Sequence, residues 1–173
     1  FNTRQADVSA VNLAAFWCLS TNSPMLLKTV AGELIVTDST SATIANTGLT
    51  LSADQEYDIW ITLNHIKDEV QVYNGDQLLV TAPIGGATQY VSAVTLAGRY
   101  DVKTAPPAGV EFSIIEFWQC PLTISQIQLI NKTGIDMQGS MIFSAQLAAC
   151  TGAQYMPNRV QNGLLPTISG NWS

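Results

Sequence analysis

Glu56-Tyr57-Asp58-Ile59-Trp60-Ile61-Thr62-Leu63-Asn64-His65-Ile66 is the stretch on which the fold turns. Tyr57, Ile59, Ile61 and Leu63 recur at every second position, and a period of two is that of a strand with one face on a core. Asp58, Trp60, Thr62 and Asn64 then share the opposite face, polar but for one large aromatic ring. The next residues repeat the pattern: Glu69-Val70-Gln71-Val72-Tyr73, then Asn74-Gly75-Asp76, then Gln77-Leu78-Leu79-Val80-Thr81-Ala82. Asn-Gly between two β-branched runs predicts a tight hairpin, because both central residues of a type I′ turn need positive φ.

Outward from this meander the same reading continues. Leu13 to Leu19 is apolar and aromatic and closes at Asn22-Ser23-Pro24, predicting a strand buried on both faces. Met25 to Ala31 and Glu33 to Asp38 form a hairpin around Gly32, and Ser41 to Thr47 a strand ending in a turn at Asn46-Thr47-Gly48. Pro83 to Tyr90 and Lys103 to Gly109 read as loops, Ser92 to Ala97 and Val110 to Trp118 as strands. Thr123 caps a short helix whose Ile127 and Ile130 face inward. Met141 to Cys150 fits strand or helix, and Tyr155 to Ser173 is loop-like. The expectation is an all-β antiparallel domain over residues 1–132, with one short helix, and a C-terminal extension over 133–173 that packs on the domain or on a neighbouring subunit.

Composition bounds the function. The chain of 173 residues carries 7 Lys+Arg against 13 Asp+Glu, a formal charge of -6. That lacks the clustered cations nucleic-acid binding requires, so a DNA or RNA partner is excluded. The apolar runs are too short to insert in a membrane as helices. Charged residues make up 12% of the chain, about half the usual share, and Ser, Thr, Asn and Gln take their place. Such a surface suits a virion or extracellular protein. The opening at Phe1 without an initiator Met reads as a processed product or a part of something longer. Cys18, Cys120 and Cys150 show no metal-ligand spacing, and buried free thiols are expected. A Cys18–Cys120 disulfide remains open if the first and last strands pair.

The order of elements resembles the concanavalin A-like lectin/laminin G family. The resemblance rests on the Tyr57 to Asn64 strand, the Glu69 to Val80 hairpin, Val94-Thr95-Leu96-Ala97-Gly98, the strand Val110 to Trp118 and the helix of Leu122-Thr123-Ile124-Ser125-Gln126-Ile127. It covers roughly Leu13 to Asn131, and the extension beyond Thr133 departs from it. It implies a two-sheet jelly-roll sandwich that binds rather than catalyses, as such modules do on phage tails, adhesins and secreted glycan-binding proteins. The expected function is therefore a non-enzymatic binding or structural module of a virion, a phage tail or capsid appendage, or of an extracellular assembly, recognising surface glycans. Its partners would be glycans or other virion or surface proteins, and it would be a homo-oligomer. The alternatives are a secreted lectin or adhesion domain and, further off, a glycoside hydrolase of the same fold.

Sugar recognition needs a flat aromatic face beside amides, hydroxyls and carboxylates. Trp60 with Asp58, Thr62 and Asn64 supplies that mixture on one strand face, and Tyr90, Arg99, Tyr100 and Asp101 could add a rim from loops. Against this stands Trp60 as a packing residue beneath another layer or a subunit. Trp17 and Trp118, in apolar runs, read as core. A hydrolase would need paired carboxylates. Asp54, Glu56 and Asp58 alternate on one strand, but at a turn and strand start, where acids are commonly just solvated. Glu111 and Glu116, five apart, fall on opposite faces. His65, the only histidine, reads as structural or exposed. No cofactor is indicated. The resemblance leaves calcium open, since laminin G relatives hold it with loop carboxylates and carbonyls; Asp38, Asp76, Asp101 and Asp136 are the candidate donors, without a dense acidic loop to assign it to. Gly85-Gly86 is a loop rather than a phosphate cradle, and Asn131-Lys132-Thr133 is a formal glycosylation sequon.

Overall fold

The structure, a computed structural model, describes residues 1–6, 8–18, 24–85, 91–96, 110–133 and 141–146. In chain order the elements are β1 (Asn2–Gln5), β2 (Asn12–Cys18), β3 (Pro24–Val30), β4 (Glu33–Thr37), β5 (Thr43–Thr50), β6 (Glu56–Asn64), β7 (Glu69–Asn74), β8 (Gln77–Pro83), β9 (Val91–Leu96), β10 (Val110–Trp118), α1 (Ile124–Thr133) and β11 (Met141–Gln146). They form two sheets, ordered β11-β10-β1-β6-β7-β8 and β5-β4-β3-β2-β9, in which every pairing described is antiparallel. The chain crosses between the sheets after β1, β5, β8 and β9, so each sheet is assembled from separate stretches of sequence.

One hydrophobic core lies between the sheets. Leu13, Phe16, Leu27, Leu34 and Val36 enter it from the five-stranded sheet, Tyr57, Ile59, Val70, Val72 and Ala82 from the six-stranded one. The period-two reading of β6 and β7 thus gives the inward set directly. β2 is flanked by β3 and β9 and is buried on both faces, as its unbroken apolar run predicts: Ala14 and Phe16 join the main core, while Ala15 and Trp17 pack with Leu26 on the other side. The β3–β4 hairpin turns through Ala31 and Gly32, with φ of 50° and 84°, and the β7–β8 hairpin through Gly75 at φ 57°.

Four features differ from the sequence reading. β1 is a strand that hydrophobic periodicity does not reveal, because its inward residues are polar. Thr3 and Gln5 are each 1% exposed, and the Gln5 amide donates to the Thr3 hydroxyl at 3.0 Å. β5 does not end at Asn46-Thr47-Gly48 but continues through it to Thr50. Ile35 opposes Asn46 and Glu33 opposes Thr50, so the turn-forming residues are absorbed as a bulge. Its geometry is held by Gly48 N–H on Asn46 Oδ1 (2.9 Å) and by the Thr47 hydroxyl donating to Leu34 O (2.6 Å).

The third is a bulge at Ser113. Asn2 pairs with Ile114 but Thr3 with Phe112, so alternation slips by one and Glu111 and Glu116 share the outward face instead of falling on opposite ones. The fourth concerns cysteine. Cys120 is a free thiol, and it is exposed rather than buried as expected; the pairing of β2 with β10 that a Cys18–Cys120 bridge presupposed is not made, the two strands lying in different sheets. Beyond the helix, β11 lies on the edge of the described six-stranded sheet against β10, with Phe143 in backbone register with Phe117, so Met141 to Gln146 is strand. The remainder of the extension, the loop Lys103 to Gly109 and most of the loop Pro83 to Tyr90 lie outside the described residues.

Candidate functional site

The outward face of β6 carries Glu56, Asp58, Trp60, Thr62 and Asn64, as the alternation predicts. Its neighbour β7 adds Glu69, Gln71 and Tyr73 in register, Trp60 opposite Tyr73 and Thr62 opposite Gln71. After β10 the chain turns through Gln119 to Leu122 and enters α1. Thr123 and Gln126 close a capping box: Gln126 Oε1 accepts from Thr123 N–H at 2.8 Å, and the Thr123 hydroxyl oxygen faces Gln126 N–H at 3.4 Å. The helix then lays Ile127 and Ile130 on the sheet.

Together with Leu122, these two side chains cover Trp60 and Tyr73 in a second cluster, into which Trp118 also packs. The Trp60 and Trp118 rings lie 5.1 Å apart at 33°. Trp60 is consequently only 9% exposed. This corrects the expectation of an open sugar platform at Trp60: the packing reading holds, with the covering layer a helix. The two indoles, 58 positions apart, make one pair.

The polar groups beside Trp60 are engaged in the fold. Asp58 Oδ2 accepts from the Trp60 indole N–H at 2.9 Å. Gln71 Oε1 accepts from the Tyr73 hydroxyl at 2.6 Å and from the Thr62 hydroxyl at 3.3 Å. Burial pushes the Tyr73 hydroxyl above its ordinary pKa, the Thr62 contact opposes this and the nearby Glu69 carboxylate adds to it. Asn64 Oδ1 accepts from the N–H groups of Ile66 and Lys67, both at 3.1 Å, and so forms the turn that carries exposed His65 into β7. Tyr90, Arg99, Tyr100 and Asp101 lie outside the described residues.

The carboxylates follow the same rule. Asp54 stands in the turn before β6 at φ 60°, off the strand face that Glu56 and Asp58 share. Glu56 accepts from the Ser113 hydroxyl at 2.9 Å, and Glu111 receives both Nε and Nη2 of Arg4 at 3.1 and 2.8 Å. Asp38 Oδ1 gathers the Thr40 N–H, the Thr40 hydroxyl and the Ala42 N–H within 2.7–2.9 Å. Those bonds, the Thr40 hydroxyl first, hold its carboxyl below the usual carboxylate range. Among the described residues no three His, Cys, Asp or Glu side chains gather into a group able to hold a metal ion. Asp101 and Asp136 lie outside them.

Between the β7–β8 turn and the last turns of α1 runs an open cleft of about 590 Å³, lined by Gly75, Asp76, Gln128, Asn131 and Lys132. Helical spacing of 128, 131 and 132 was the available signal, since those positions share one side of a helix. What it faces depends on where α1 docks. No known protein family and no curated protein matches this chain.

Proposed function

We propose that this chain is a non-enzymatic binding and structural module of the concanavalin A-like/laminin G-like jelly-roll kind, displayed on a virion or in an extracellular assembly and recognising neutral surface glycans. The observation that carries the reading is how the outward face of the six-stranded sheet is used. Asp58, Thr62, Asn64, Glu56 and Glu111 each have a hydrogen-bond partner within the fold, which makes that face a scaffold holding a helix. A carboxylate pair working on a glycosidic bond needs one group free to give a proton and another free to attack or to activate water. Carboxylates held by Trp60, Ser113 and Arg4 are better placed to fix the sheet. The low charge and abundant hydroxyl and amide side chains support an exterior, protein-rich setting, and among the described residues the outer edges of β9 and β11 have no strand partner, which supports contact with further copies.

The test is a glycan array probed with the whole chain, run beside a turnover assay on the glycans that bind and light scattering of the same preparation. Retention of glycans without cleavage, by a species larger than one chain, is the expected result. Hydrolysis that disappears in Asp58→Asn or Glu56→Gln would overturn the non-enzymatic reading, and a monomer that retains no glycan would overturn the binding one.

A further inference from the structure

We infer that the cleft between the β7–β8 turn and α1 is the glycan subsite, and that it takes a neutral, hydroxyl-rich ligand. This rests on the glycan-binding reading above and assigns it a place. With Trp60 covered, recognition needs polar groups that still have bonds to make. Asp76, Gln128, Asn131 and Lys132 are all exposed, all line this one cleft, and none makes a side-chain hydrogen bond or ion pair among the described residues. The face over Trp60 is the opposite case, its polar groups being bonded to one another.

The chemistry of the four narrows the ligand. Two carboxamides donate and accept side by side, which matches vicinal hydroxyls that do the same. The carboxylate can only accept and the ammonium only donate, and their opposite signs leave the described lining without a net charge to select an anion or a cation. Among the described residues no aromatic or branched aliphatic side chain lines it, so none of them would select a hydrophobic side chain of a peptide. At Gly75 no heavy atom lies within 4 Å of where a Cβ would stand, which leaves the backbone of the turn open to close approach.

The walls are fixed before any ligand arrives. Gly75 N–H donates to Asp58 O at 2.7 Å, tying the turn to β6, and Ile127 and Ile130 anchor the helix on the sheet. A preorganised wall reduces the ordering that binding would otherwise demand. The cleft is open and no described residue offers it a stacking ring, so a single site should bind on the order of 1 mM, with useful avidity arising from several copies on one particle.

The experiment is an amide NMR titration of the whole chain with four neutral trisaccharides, cellotriose, maltotriose, mannotriose and galactotriose, and with trigalacturonate as an anionic comparison, each to about 10 mM. Saturable shifts at Gly75, Asp76, Gln128, Asn131 and Lys132 with at least one neutral sugar are expected. Asp76→Ala and Asn131→Ala should each weaken that binding about tenfold or more without lowering the melting temperature, because both side chains are exposed and unpartnered. Shifts confined to other residues would sink the cleft and leave the glycan module standing. Silence everywhere would remove both, and preference for trigalacturonate would overturn the neutral assignment.

Discussion

Trp60 shows how one side chain can carry two opposite readings. Its parity on β6 puts it among polar residues, where an exposed indole would be a sugar platform. Under a helix it is instead the centre of a small hydrophobic cluster with Trp118, Tyr73, Ile127 and Ile130. Trp60→Ala should therefore cost about 3–5 kcal/mol in urea unfolding, the toll of emptying a packed aromatic site, with the Asp58 carboxylate losing its donor as well. A loss below about 1 kcal/mol would return Trp60 to the surface. The face on which Trp60 sits was legible from alternation alone. What covers it was not, because the covering side chains lie some sixty residues away and nothing in either segment announces the other. A second residue is informative for its backbone. Ala31 holds φ 50° in the β3–β4 turn, a left-handed position where a Cβ is unwelcome and Asn is tolerated far better. Ala31→Asn should raise stability by about 0.5–1 kcal/mol, read as a shift in denaturation midpoint at unchanged slope.

Among the elements, α1 is the one most fully written in local sequence. Thr123 as a cap, then Ile127 and Ile130 on one side, give its start and its buried face before any contact is known. Thr123→Ala should cost about 1 kcal/mol by removing the cap. Ile127→Ala, at a site with no exposure, should cost about 2–5 kcal/mol and redden tryptophan emission as Trp60 and Trp118 meet water. Emission that stays unchanged in a folded Ile127→Ala variant would mean that the helix does not shield the indoles. The bulges in β5 and β10 were illegible for the opposite reason. Asn46-Thr47-Gly48 has the residues of a turn, and only the neighbouring β4 decides that they be threaded into a ladder. At Ser113 a single extra residue moves Glu116 to the face that strict alternation denies it.

At the scale of the whole molecule the informative element is β1. It lies between β10 and β6 inside the six-stranded sheet, yet its inward Thr3 and Gln5 are polar and gave no hydrophobic signal. The bond between them uses the Gln5 amide N–H and the Thr3 hydroxyl oxygen and the ladders on both sides pair the backbone, while Gln5 Oε1 is buried without a partner among the described residues. Thr3→Pro removes a backbone donor and clashes within a strand that has two neighbours, which should cost about 3 kcal/mol or more. Thermal unfolding followed by circular dichroism measures it; a Thr3→Pro variant that melts like the parent would place β1 outside the sheet.

The position of β1 also sets an order of events for the growing chain. Asn2 must find Asp58 on one side and Ile114 on the other, so β1 is completed only after β10 has been made. Contacts of such separation repay their loop-closure entropy late, and refolding should fall in the millisecond-to-second range of sheet proteins with distant pairings. Until then β1, which can already pair with β6, waits with its β10-facing edge bare. Synthesis in dense company therefore exposes that edge to neighbouring nascent chains, and a chaperone that shields it would raise the yield of native protein more than one that acts after release.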